Sequence, residues 1–131
     1  MTIKRIKLPK IKDRRGNLSV VEKDVIPFES KRVYYLHDVP SGASRGGHAH
    51  KEQHEFLIAL SGSFNVIIDD GKTKTSYTLN KPDEGLLIPS GFWRELEDFS
   101  SGGICLVLAS AEYLEEDYIR DYTNYLTFKS L

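Results

Sequence analysis

The chain has 131 residues, 40% hydrophobic, 28% charged and 11% aromatic, with a formal net charge of −1. That is one domain's worth of chain with enough apolar material for a core, and it lacks the basic excess that draws a protein onto nucleic acid. One cysteine, Cys105, rules out an internal disulfide, and no apolar run approaches the roughly 18–20 residues of a membrane span. The first residues do not read as a signal peptide, so the expected compartment is the cytoplasm.

Residues 4–15 (KRIKLPKIKDRR) carry seven Lys/Arg and one Asp, the pattern of an edge strand kept soluble by lysines. RVYYLHDV (32–39) is aromatic and β-branched and stops at Pro40-Ser41-Gly42. HEFLIAL (54–60) ends at Ser61-Gly62-Ser63, and FNVII (64–68) runs into Asp69-Asp70-Gly71, a hairpin signal from which KTSYTL (74–79) returns. GLLIP (85–89), WRELEDF (93–99) and GICLVLA (103–109) complete the set, and Cys105 is expected in the core. The tail AEYLEEDYIRDYTNYL has helical spacing through Leu114, Tyr118, Tyr122 and Tyr125, or forms a helical turn followed by an extended arm. Its acidic run near 112–121 reads as a solvated face. Short strands at this spacing predict an all-β, double-sheet jelly roll or small barrel, a single domain over residues 1–131.

The stretch RGGHAHKEQHEFLIALSG (45–62) holds the chemistry. In a strand, residues two apart share a face, so His48 and His50 point the same way and Ala49 points outward. The spacing Gly42-x5-His48-x-His50-x4-Glu55-x6-Gly62 resembles the first signature motif of the cupin superfamily. Metal cupins bind a divalent ion with these two His and the Glu, plus a third His from a second motif. Here Gly85-Leu-Leu-Ile-Pro89-Ser-Gly91-Phe-Trp-Arg94 puts Arg94 at that third position. A guanidinium is always protonated and offers no lone pair to a metal.

Two chemistries follow. His48, His50 and Glu55 could form a facial triad for a metal. Without a metal, a neutral imidazole can act as general base near neutral pH, with a phenol or second imidazole returning the proton. Tyr34 is the candidate phenol, since it shares a strand face with Arg32 while Tyr35 faces away. Arg15, Arg32, Arg45 and Arg94 would suit a diphosphate if they converge, because Arg pairs bidentately with phosphate oxygens. Trp93 is a wall or core residue with a face that could pack against a sugar or base, and Glu95 could hydrogen-bond a cavity group.

KRVYYLHDV, RGGHAHK, LIALSGSF, GLLIPSGFWRELEDFSSG and VLASAEYLEEDYIRDY, in that order, resemble the nucleotide-sugar 3,4-ketoisomerases. These are small cupins that act on dTDP-4-oxo-6-deoxy-glucose. The resemblance covers nearly the whole chain, including DRRGNL near the start. It implies an isomerase without metal or cofactor that moves the sugar carbonyl from C4 to C3 through an enediol, in deoxy-amino-sugar biosynthesis. It further implies His48 and Tyr34 as the acid/base groups, with His50 and Arg45 at the sugar pocket. A homodimer exchanging N-terminal strands is also implied. Glu55 stands where several relatives carry Gln, and Arg94 where relatives carry His or Arg. Arg15 and Arg94 lie in segments that differ between relatives making gluco- and galacto-configured products. The competing readings are a metal-dependent cupin using His48, His50 and Glu55, and a sugar-binding barrel without catalysis.

Overall fold

The β-branched and aromatic runs become strands in a computed structural model that describes residues 1–130. In chain order the strands are β1 (Lys4–Lys7), β2 (Lys10–Asp13), β3 (Gly16–Ser19), β4 (Arg32–Leu36), β5 (Arg45–His50) and β6 (Glu55–Ser61). They continue as β7 (Phe64–Asp69), β8 (Lys74–Leu79), β9 (Glu84–Ile88), β10 (Trp93–Glu97) and β11 (Ile104–Ala109). A 3-10 turn (Glu115–Asp117), the two-residue strand β12 (Tyr118–Ile119) and helix α1 (Tyr122–Lys129) close the chain.

Two five-stranded sheets result, in the orders β1-β9-β6-β11-β4 and β12-β5-β10-β7-β8, with β2 and β3 paired as a separate hairpin. All the pairings are antiparallel. This is the expected jelly roll, built as two facing sheets. The basic head supplies an edge: β1 pairs only with β9, and three of its four residues are Lys or Arg facing solvent.

Alternation places the core. Leu57, Val66, Leu86, Leu96 and Val107 point between the sheets and are fully buried. Burying each large apolar side chain contributes about 1.5–3 kcal/mol. Their neighbours Phe56, Leu87 and Leu108 point outward from the first sheet and are covered by Leu8 and Ile26. That sheet is therefore buried on both faces, and the central strand HEFLIAL accordingly has no polar alternation.

The Asp69-Asp70-Gly71 turn joins β7 to β8 as expected; Asp70 Oδ1 accepts from the amides of Lys72 and Thr73, both at 2.8 Å. The WRELEDF strand ends earlier than its composition predicts, because Asp98 takes a left-handed backbone (φ 54) that turns the chain away. Gly62 also requires this conformation (φ 65), and a Cβ there would lie 2.9 Å from Gly103 Cα.

The tail combines both expected forms, a helical turn leading into an extended pair and then a short helix. The helical spacing from Leu114 to Tyr125 is interrupted, because Tyr118 and Ile119 pair as a strand with His50 and Ala49 of β5. The helix begins only at Tyr122, capped by Asp121, whose side chain accepts from Asn124 N. Tyr125 anchors it, donating from its hydroxyl toward the carbonyls of Asp69 and Gly91, each at 2.9 Å. The periodicity reflects two separate packings, not one helix.

Candidate active site

Four strands carry the site, and parity decides which side chains enter it. From β5, His48 and His50 face between the sheets while Ala49 packs outward under α1. Glu55 opens β6 and Arg94 lies on β10 directly opposite His48. Tyr34 comes from β4, with Tyr35 turned to solvent.

Glu55 is the hub, at 1% exposure. Its Oε1 accepts from Arg94 Nε at 3.1 Å, and its Oε2 accepts from the Tyr34 hydroxyl at 2.5 Å. Arg94 also donates to the Tyr34 oxygen at 3.0 Å. His48 Nε2 lies 3.7 Å from Glu55 Oε1 and His50 Nε2 lies 3.5 Å from Oε2. Both Nε2 atoms are buried without a hydrogen-bond partner among the described residues.

The electrostatics separate the groups by role. Burial, reinforced by the Arg94 charge, pulls the His48 pKa down to about 4, so its ring is neutral at neutral pH. Burial, reinforced by the Glu55 charge, pushes the Tyr34 phenol well above its ordinary value, so it stays protonated. Burial alone would raise Glu55, but the Arg94 guanidinium beside it holds it well below the usual carboxylate range. A neutral base beside a neutral acid is the arrangement that proton transfer at carbon requires.

The same contacts bear on a metal. Ligand atoms of His48, His50 and Glu55 lie within 4.8 Å of one another. Both Glu55 oxygens, however, are engaged by Arg94 or Tyr34, and the Arg94 cation lies where a divalent ion would need its charge balanced. These residues do not fit a metal, because a fixed guanidinium already neutralises the carboxylate.

A cavity of about 250 Å³ opens beside the cluster, with Tyr34, Arg45, His48, Arg94, Tyr118 and Arg120 among its walls. A larger cavity of about 680 Å³ lies under residues 21–30, but every titratable side chain on its wall is exposed. The smaller one, walled by buried His48 and Arg94, is the candidate site.

Other expected site residues fall differently. Arg45 reaches the cavity through a bulge: β10 advances two residues from Arg94 to Leu96 while β5 advances three from His48 to Arg45. The extra residue, with Gly46 at φ 24, turns Arg45 onto the face of His48. Arg32 stands behind Tyr34, its guanidinium 4.8 Å from that ring, and donates to the Tyr118 hydroxyl at 3.0 Å. Arg15 lies outside the cluster, in the β2–β3 hairpin, paired with Asp13 at 2.8 Å. Trp93 and Glu95 lie on the other face of β10. They flank inward-facing Arg94 and so point to the outer side of the sheet, where Trp93 Nε1 donates to Glu95 at 2.9 Å. Trp93 packs with Ala49, Ile119 and Tyr125, and a Cβ on Gly47 would lie 2.6 Å from its ring.

Asp117, Tyr118 and Arg120 were missed by the reading of the acidic tail as a solvated face. Asp117 is buried, and its Oδ2 lies 3.0 Å from His50 Nδ1. Tyr118 packs on His50 with ring centres 4.4 Å apart, and Arg120 lies over Tyr118 while pairing with Glu115 at 2.7 Å. The one available signal was the aromatic residues interleaved in EEDYIRDY.

Known proteins resemble this chain over nearly its whole length. The model of the family described as FdtA: WxcM-like, C-terminal, matches residues 1–130. A curated relative from Aneurinibacillus thermoaerophilus, TDP-4-oxo-6-deoxy-alpha-D-glucose-3,4-oxoisomerase, is 45% identical over 126 residues, covering 95% of this chain and 91% of that protein. The crystal structure of a 3,4-ketoisomerase from Helicobacter canadensis superposes with a TM-score of 0.95 at 42% identity, covering 98% of each chain. The sugar 3,4-ketoisomerase QdtA from Thermoanaerobacterium thermosaccharolyticum, in complex with TDP, superposes with a TM-score of 0.94 at 41% identity, covering 97% of this chain and 93% of that one.

Proposed function

The chain belongs to the FdtA family, and on that premise we propose that it is a nucleotide-sugar 3,4-ketoisomerase acting on a dTDP-linked 4-oxo-6-deoxy sugar. The observation that carries the reading is the pairing of an imidazole held neutral, His48, with a phenol held protonated, Tyr34, in one cavity.

The C3 hydrogen of a 4-oxo sugar is acidified by the neighbouring carbonyl. His48 Nε2 takes that proton, and the electron pair moves through C3–C4 to the C4 oxygen. Tyr34, braced by Glu55 and Arg94, donates to that oxygen and gives the enediol. Loss of the O3 proton then forms the C3 carbonyl, while C4 takes a proton from the His48 imidazolium, which exchanges with solvent during the lifetime of the enediol. Nothing is oxidised or reduced overall, so the reaction calls for no cofactor. The cavity is smaller than the ~300–1,000 Å³ typical of small-molecule sites. It suits the sugar ring, with the diphosphate across the mouth near Arg45 and Arg120.

The test is a proton NMR time course with dTDP-4-oxo-6-deoxy-glucose in D₂O, using chelator-treated protein. A 3-oxo product with deuterium at C4 is expected, and its C4 coupling reports the epimer. Turnover appearing only after a divalent ion is restored would overturn the metal-free chemistry. No product under either condition would overturn the activity on this substrate.

A homodimer exchanging N-terminal hairpins accompanies this reading, as does a cytoplasmic location. Every residue of β2 and β3 is exposed, including Ile11 at 64% and Leu18 at 56%. The edge strand β4 exposes Val33 and Tyr35. Apolar faces on a detached hairpin and on a free edge suit a second copy, and the exchange could carry Arg15 toward the partner's cavity. Sedimentation should report a dimer, and the double variant Ile11→Asp/Leu18→Asp should sediment as a monomer. A wild-type monomer at micromolar concentration would exclude the exchange.

A further inference from the structure

We propose that Leu36 is a specificity-determining residue, the apolar seat for the methyl group at C6 that favours a 6-deoxy sugar over one with a hydroxyl there. The inference rests on the ketoisomerase reading, because it takes the cavity beside His48 and Tyr34 as the seat of a 4-oxo-6-deoxy sugar.

The cavity is polar on almost every side. Its walls carry the guanidinium groups of Arg45, Arg94 and Arg120, the phenol rings of Tyr34 and Tyr118, and the His48 imidazole. Leu36 is the one aliphatic side chain among the described residues that line it. Parity brings it there: Arg32, Tyr34 and Leu36 share the inner face of β4, and Leu36 is half-buried while Tyr35 and His37 are exposed. Leu36 stands opposite Cys105 of β11 and packs on the core between the sheets, which supports its side chain from behind. The strand ends at Leu36, and Asp38 then takes a left-handed backbone (φ 58) that turns the chain.

The reaction sets which flank of the sugar meets Leu36. His48 serves C3 and Tyr34 serves the oxygen on C4, so those atoms lie at these two side chains. C6 hangs from C5, the neighbour of C4 on the side away from C3. On β4 the side chains that share the face of Tyr34 stand about 6.5 Å to either side of it. One is Arg32, which stands behind the Tyr34 ring at 4.8 Å and donates to the Tyr118 hydroxyl at 3.0 Å. The other is Leu36, on the cavity wall. A methyl group against it removes apolar surface of both partners from water. A hydroxyl at the same point would give up hydrogen bonds to water beside a side chain that returns none. An apolar wall rejects such an added oxygen by about a hundredfold at most, and a half-buried leucine should reject it by about tenfold.

Calorimetric titration with dTDP-6-deoxy-glucose and dTDP-glucose tests the proposal. These 4-hydroxy analogues differ only in the oxygen on C6 and carry no carbonyl to isomerise. Wild-type protein should bind the 6-deoxy analogue about tenfold more tightly. Leu36→Thr keeps a branched, strand-forming side chain but adds a hydroxyl, and should bring the two affinities within about twofold, chiefly by weakening the 6-deoxy analogue. Leu36→Ala, which leaves room for water beside C6, should do the same and keeps the test open if the Thr variant does not fold. Leu36→Met, still apolar and of similar volume, should keep most of the preference, which a merely structural role would not require. Equal wild-type affinities would overturn the proposal, as would a full preference surviving in Leu36→Thr or Leu36→Ala. If the wild-type protein binds neither analogue nor dTDP, the ketoisomerase reading fails and the assignment of Leu36 falls with it. If both analogues bind equally while the 4-oxo sugar is turned over, the reading stands and the assignment alone fails.

Discussion

Replacing His48 with Asn is expected to lower kcat by about a thousandfold, within the range removed with a general base. Its ring nitrogen is the free lone pair in the cavity that its surroundings keep deprotonated at neutral pH, with a pKa drawn down to about 4 chiefly by burial. The Asn side chain keeps similar size near the backbone but offers no basic nitrogen, so binding should survive. Solvent deuterium should cease to enter the sugar on the same scale as turnover is lost. A variant retaining a tenth of wild-type activity would remove His48 as the base. The same pKa predicts an acid limb of kcat/KM near pH 4, well below an ordinary imidazole, and no basic limb from Tyr34 near its usual value. Its effect on stability has a definite sign. The unfolded chain takes up a proton near the ordinary value of 6.5 and the folded ring only near about 4. His48 therefore withdraws stability as pH falls through that window and restores it as pH rises.

Arg94→Met should cost about 3–5 kcal/mol of unfolding free energy, the range for removing one partner of a buried ion pair. Arg94 is 3% exposed and its Nε–H donates to Glu55, so the shortened, uncharged side chain would leave a carboxylate in the core without its counter-charge. Adding Glu55→Gln to Arg94→Met should recover most of the loss, since the neutral amide no longer needs that counter-charge. The deficit of the single variant should also shrink as pH falls, because a protonated Glu55 needs no cation. Urea denaturation of the wild type, the Arg94→Met and Glu55→Gln single variants and the double variant measures all of this. An unchanged midpoint for Arg94→Met would mean that the pair contributes nothing, and with it the account of why Glu55 stays charged would fail.

The metal question turns on the same pair. Two His and a Glu at cupin spacing are a donor set that could be read either way from sequence. Arg94 tips the balance at the third ligand position, but a long side chain could still have swung clear of the cavity. In the fold it does not: the strand pairing of Arg94 with His48 puts the guanidinium against Glu55. A cation held by strand register replaces the charge a metal would bring.

Strand parity explains both what was legible and what was misread. It separated Tyr34 from Tyr35 and aligned His48 with His50, and both inferences hold. Applied to the consecutive residues Trp93, Arg94 and Glu95, it forbids all three from sharing one cavity. Only Arg94 turns in, while Trp93 holds α1 against the sheet.

The sequence by itself determined the all-β class, the order of the main strands, the two imidazoles on one face and the family. These are local or periodic properties, set by alternation, turn chemistry and motif spacing. Tertiary structure was needed to show how Arg45 enters the cavity, through an extra residue in β5, and that Asp117 leaves the acidic surface to pack against His50. Both depend on which strand pairs with which and at what register. That is set by contacts between residues far apart in the chain, here 67 residues between His50 and Asp117, and a charge pattern read along one segment cannot report it.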